Sequence, residues 1–140
     1  MATIRARTFE YGVSLDRDWS AASDRGGAAM ASDERVWAPE HLLLTGLARC
    51  VLTSLAYHAR RAGVEAASSA TARGTVTRRE EDGRFAFVEI DVDAEVALEP
   101  SLDEAAIRHL VGKAERDCFV GASLRLQPAY RWTVGGRVLS

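Results

Sequence analysis

Hydrophobic and polar positions change rhythm several times along the 140-residue chain. At the start Ile4, Ala6 and Thr8 alternate with Arg5, Arg7 and Phe9, and Val13 and Leu15 follow Gly12, a period-two pattern that predicts an opening strand or hairpin. From Asp16 to Ala38 the pattern dissolves into Ser, Ala, Gly and charge, with Arg25-Gly26-Gly27 inside it, and predicts a long functional loop. Pro39 and Glu40 then suit the first turn of a helix. Leu43, Leu44, Leu47, Val51, Leu55 and His58 recur at helical spacing up to Arg60-Arg61, and Gly63 supplies a stop. Leu42, Ala48, Leu52 and Ala56 widen the apolar stripe, so this central helix is expected to be covered on most sides.

Small and β-branched residues from Val64 to Thr77 predict a strand, and Glu81-Asp82-Gly83 predicts the hairpin turn after it. The next strand carries Val88, Ile90, Val92, Ala94 and Val96 on one face and Glu89, Asp91, Asp93 and Glu95 on the other, a half-buried pattern. Its acidic row is read as a solvated face, with Arg73, Arg78 and Arg79 across the hairpin. Ser101-Leu102-Asp103-Glu104 reads as a capping box for a second helix, with Ile107, Leu110, Val111 and Ala114 inward and an end near Cys118. A last strand runs through Leu124, Leu126, Tyr130, Trp132 and Val134. This order predicts one α+β domain over residues 1–140.

Composition narrows the function classes. Hydrophobic residues make up 47% and charged residues 27%, which excludes a disordered tail or a fibrous repeat. With 18 basic against 20 acidic residues the net charge is −2, so nucleic acid is not an expected partner. Arg49 divides the longest uncharged runs, and no apolar segment follows the charged N-terminus; no membrane span, no secretory leader and a cytoplasmic home are the expectations. His41, His58 and His109 lack the paired spacing of a zinc site, and 17 residues of helix hold His41 and His58 about 25 Å apart. No metal or other cofactor is expected. Two cysteines, Cys50 and Cys118, remain: inert buried thiols, part of a metal site, or a redox couple.

The segment from Pro39 to Cys50, Pro-Glu-His-Leu-Leu-Leu-Thr-Gly-Leu-Ala-Arg-Cys, resembles the Pro-Glu-x-Leu…Ala-x-Cys helix of the osmotically inducible protein C and organic hydroperoxide resistance family (OsmC/Ohr). Ala114-Glu115-Arg116-Asp117-Cys118-Phe119-Val120-Gly121-Ala122-Ser123-Leu124 resembles that family's second cysteine motif, and the order of elements is similar over nearly the whole chain. The resemblance implies antiparallel sheets packed around two central helices in an intertwined homodimer. It also implies a thiol peroxidase that reduces organic hydroperoxides, with Cys50 attacking, Cys118 resolving and an external dithiol restoring the pair. Glu40 would hold an activating Arg; Arg25 is the choice by position, with Arg35, Arg5 and Arg7 as rivals. Leu43, Leu47, Val51 and Phe119 would surround the substrate. Phe119 and Gly121 depart from the Pro and Ser common after the second cysteine, which motivates an alternative, a dimeric small-ligand-binding protein with little turnover. Ten helical residues put about 15 Å of rise between Glu40 and Cys50, so Glu40 is expected to serve the cysteines of a second subunit.

Overall fold

The structure is a computed structural model and describes residues 7–15, 17, 20–27, 30–31 and 36–139. It divides into two units, Met1–His41 and Leu42–Ser140. In the first unit, β1 (Val13–Leu15), β2 (Ser20–Ser23) and β3 (Met30–Ala31) form an antiparallel sheet in the order β1-β2-β3. Val13 and Leu15 thus lie in a strand as predicted, while residues 4–6 fall outside the described ones. The segment expected to be a loop contains β2 and β3. Its Ser and Ala side chains carry no alternation to read, and the ladder is made by backbone groups. Gly26 and Gly27, at φ 83° and 93°, turn the chain between them in the left-handed region that glycine enters without a Cβ penalty.

Helix α1 (Pro39–Arg61) matches the predicted span. Leu47, Val51, Leu55 and Ala59, one residue per turn, are fully buried. Leu42, Ala48, Leu52 and Ala56 stay only half-buried, so the covered stripe within one chain is narrower than predicted. By length and composition alone this helix could cross a membrane, contrary to the sequence expectation. Here its buried stripe forms part of the protein's own core, and Arg49 stands exposed beside it.

The sheet of the second unit has the order β4-β5-β6-β7, from β4 (Glu65–Arg78), β5 (Phe85–Glu99), β6 (Ala129–Val134) and β7 (Arg137–Val138). The β4–β5 hairpin forms as predicted, and its turn is fastened by Arg79, which grips Asp82 at 2.6 and 3.1 Å. Between them β5 and β6 run parallel, so the sheet is mixed rather than purely antiparallel. Ile90, Val92, Ala94 and Val96 face the core as read from the sequence, but Val88 does not: a bulge pairs Thr75 with Glu89 and Val76 with Phe87. The extra residue reverses the side-chain phase, leaving Val88 exposed and packing Phe87 against the core.

Helix α2 (Glu104–Arg116) is capped by Asp103, whose carboxylate accepts the Ala106 N–H at 2.8 Å; the predicted cap, Ser101, lies two residues earlier. The helix ends at Asp117, and a separate short helix, α3 (Phe119–Ala122), follows. Cys118 therefore begins α3 instead of finishing α2. Leu124 and Leu126, assigned to the last strand, precede it in a loop. The core joins the α1 stripe to Ile90, Val92, Leu110, Ala114, Cys118 and Trp132; complete burial of each large aliphatic side chain among these contributes about 1.5–3 kcal/mol.

Candidate functional site

The break between α2 and α3 decides where the second thiol points. Asp117 closes α2 with its N–H on the Lys113 and Glu115 carbonyls, and its carboxylate meets His58 Nε2 of α1 at 2.8 Å. Arg116 chelates the same carboxylate at 2.9 and 3.0 Å and, with His58, holds it well below the usual range, at about 2. The residue after this anchor, Cys118, adopts an extended backbone and is completely buried.

Cys50 comes from the middle of α1, half-buried beside the core stripe. The two free thiols are neighbours at the start of α3. Consecutive amides of α3 are divided between them: Val120 N–H donates to Cys50 Sγ at 3.4 Å, and Gly121 N–H to Cys118 Sγ at 3.4 Å. Burial pushes the Cys118 thiol up to about 11, against the Gly121 N–H, and the adjoining Cys50 adds to the rise. A buried thiol that keeps its proton at neutral pH sits next to a more accessible one.

Beneath the pair lies β6. Tyr130, half-buried, brings its hydroxyl to the same Gly121 that Cys118 Sγ borders, and its ring stacks on Trp132 with centroids 6.5 Å apart. Trp132 is fixed in turn by its indole N–H on Glu115 Oε2 at 2.9 Å. The space at Gly121 is closed from this side: a Cβ there would stand 2.8 Å from the Tyr130 hydroxyl, 3.4 Å from Cys118 Sγ and 3.6 Å from Leu47 Cδ1.

Of the residues singled out in the sequence, Cys50, Cys118 and Leu47 converge here. Val51 is fully buried in the core, Leu43 packs on its edge, and Phe119 is 56% exposed. Glu40 sits exposed in the first turn of α1. Arg25 lies over the Tyr11 ring, 4.8 Å from its centroid, and no ion pair joins it to Glu40 among the described residues. Arg7 lies over Phe9, and Arg5 and Arg35 are outside the described residues. His41 Nδ1 accepts the Ala38 N–H at the start of α1. Among the described residues no His, Cys, Asp and Glu cluster could hold a metal ion. Tyr130 was read from the sequence only as an inward strand position; its alternation with Trp132 and Val134 marks the face but not the thiol opposite it.

The sequence profile of the family described as OsmC-like protein matches residues 32–133, a span containing both cysteines. Comparison with curated proteins finds no match. Among solved structures, the fold is similar to an OsmC-like protein from Mycoplasma pneumoniae, with TM-score 0.69 and 19% identity over 93% of this chain and 99% of that one. It is also similar to an organic hydroperoxide resistance protein from Elizabethkingia anophelis, with TM-score 0.63 and 20% identity over 93% and 98%. The organic hydroperoxide resistance protein OhrB of Bacillus subtilis gives TM-score 0.57 and 22% identity over 91% and 98%. At such identities the likeness speaks for the fold. With the profile covering most of its length, the chain belongs to the OsmC-like protein family.

Proposed function

We propose that this protein is a cytoplasmic, homodimeric thiol peroxidase that reduces organic hydroperoxides to alcohols. The observation that carries the reading is the placement of two unequal thiols on consecutive amides of α3, one half-buried and one fully buried with its pKa raised to about 11. In this reading the Cys50 thiolate attacks the outer peroxide oxygen, the O–O bond breaks, and the alkoxide leaves and is protonated to the alcohol. Cys50 becomes a sulfenic acid. Cys118, neutral and adjacent, condenses with it to a disulfide and releases water; an external dithiol then takes the disulfide back to two thiols. Apolar Leu43, Leu47, Val51 and Phe119 favour an alkyl peroxide over hydrogen peroxide. No cofactor enters the cycle.

Glu40 and Arg25 are proposed as the carboxylate and guanidinium that complete the cysteine site of a second subunit. Two features support an assembly of two copies: the half-buried apolar positions along α1, and the exposed Val13, Leu15, Val36 and Trp37. Light scattering at micromolar concentration is expected to give twice the chain's mass, and a monomer contradicts the assembly.

The Cys50→Ser variant tests the chemistry. It is expected to keep the fold and to lose consumption of cumene hydroperoxide; unchanged turnover overturns the assignment. Mass spectrometry of the unaltered protein after one equivalent of peroxide should show rapid loss of two hydrogens per chain. Slow over-oxidation with no disulfide would favour the ligand-binding alternative.

A further inference from the structure

The Tyr130 hydroxyl reaches the glycine that borders the Cys118 sulfur, and three features hold it there. Its ring stacks on Trp132, Trp132 is tied to Glu115 of α2, and residue 121 lacks a side chain where a Cβ would come within 2.8 Å of the hydroxyl. Gly121 is not in the left-handed region, so a backbone requirement does not explain it; the room it leaves is taken by the phenol. The titratable groups facing this hydroxyl are Cys118 from the start of α3, Cys50 from α1 and Glu115 from α2. Burial first, and then the charge of Cys118 and Glu115 when ionised, pushes the phenol above its ordinary range, so it keeps its proton where Cys118 loses one.

We infer that Tyr130 is a further catalytic residue, a permanent hydrogen-bond donor to the Cys118 sulfur that serves the disulfide-forming step. The inference rests on the peroxidase reading for its role in turnover. In that step the Cys118 sulfur forms a bond to Cys50 Sγ, the S–O bond of the Cys50 sulfenic acid breaks, and the departing hydroxide takes the Cys118 proton and leaves as water. Negative charge collects on the Cys118 sulfur as its proton departs, in surroundings that otherwise disfavour it. A phenol that donates to that sulfur favours the charged form while retaining its own proton. Gly121 is the matching concession in the backbone.

Two measurements on the full chain test this. The first is the ultraviolet thiolate titration of Cys118 in the Cys50→Ser chain, read as the difference from the chain with both cysteines changed to Ser. Adding Tyr130→Phe is expected to raise the midpoint by about one pH unit, a tenfold loss of thiolate at fixed pH. Gly121→Ala retains the phenol but displaces it, and is expected to move the midpoint the same way, which covers the case of a Phe variant that folds poorly. An unmoved midpoint in a folded variant overturns the hydrogen bond, whether or not the protein consumes peroxide. The second is a single turnover with cumene hydroperoxide: in Tyr130→Phe the ratio of disulfide condensation to sulfenic acid formation is expected to fall about tenfold. An unchanged ratio overturns the catalytic role. If the unaltered protein forms no sulfenic acid, the peroxidase reading fails, and the titration still decides the contact.

Discussion

Val120 donates its backbone N–H to the Cys50 sulfur at 3.4 Å, joining the middle of α1 to α3 across 70 positions of chain. The next amide, from Gly121, serves Cys118, so one short turn addresses both sulfurs. The two thiols nonetheless differ in access, and burial raises the pKa of Cys118.

Alkylation should expose that difference. With iodoacetamide at neutral pH, Cys50 in the reduced protein is expected to be labelled at least about ten times faster than Cys118, since the thiolate is the reacting form. Peptide mapping at short times reads the ratio. Equal labelling would contradict the asymmetry on which the assignment of attacking and resolving roles rests.

Cys118 also ties stability to alkaline pH. Its pKa rises from 9.0 to about 11 on folding, so between those values the unfolded chain has lost a proton that the folded chain retains. Stability from this group is whole below pH 9 and drains away as pH climbs to 11, about 2–3 kcal/mol in total. Thermal melts of Cys118→Ala are expected to begin from a lower Tm but to fall less steeply over that range than those of the unaltered protein.

At the acid end Asp117 acts with the opposite sign. Arg116 and then His58 lower its pKa from 3.8 to about 2, so its contribution is present above 3.8 and vanishes as pH drops through 2. Asp117→Asn should reduce Tm at neutral pH and flatten the acid limb of the stability profile. An acid limb identical to that of the unaltered protein would show that the contact between α1 and the end of α2 contributes nothing measurable.

Gly74 tests the bulged hairpin. A Cβ at this position would come 2.5 Å from Phe87 Cε1 and 3.4 Å from Leu44 Cδ2. Gly74→Ala is expected to cost about 1–3 kcal/mol in urea unfolding, as overpacking does. Phe87→Leu should recover part of that loss in a double-mutant cycle, because the clash is with the ring; strict additivity would contradict the contact.

Much of this architecture was legible in the local pattern. Leu47, Val51, Leu55 and Ala59 announce one face of a helix, and Pro39 and Gly63 bracket it. Ile90 to Val96 announce a strand with one buried face, and Glu81-Asp82-Gly83 its turn. Readings slipped where one local choice competes with another. Ser101 and Asp103 are both capping residues, and the carboxylate within reach of the Ala106 N–H is that of Asp103. Val88 continues the alternation perfectly in sequence and is displaced by a bulge set by pairing with β4.

The cysteine site divides the same way. Residue types and spacing along α1 and around Cys118, with their family resemblance, determined by themselves that Cys50 and Cys118 were the pair to watch. Only the tertiary structure decided that the thiols are neighbours, that one is fully buried, that consecutive amides serve them, and that Tyr130 closes the site opposite Gly121. The physical reason is range: helix periodicity and strand alternation are carried by residues a few positions apart, whereas desolvation and hydrogen bonding at a sulfur depend on groups from α1, α3 and β6 that meet only when the chain folds.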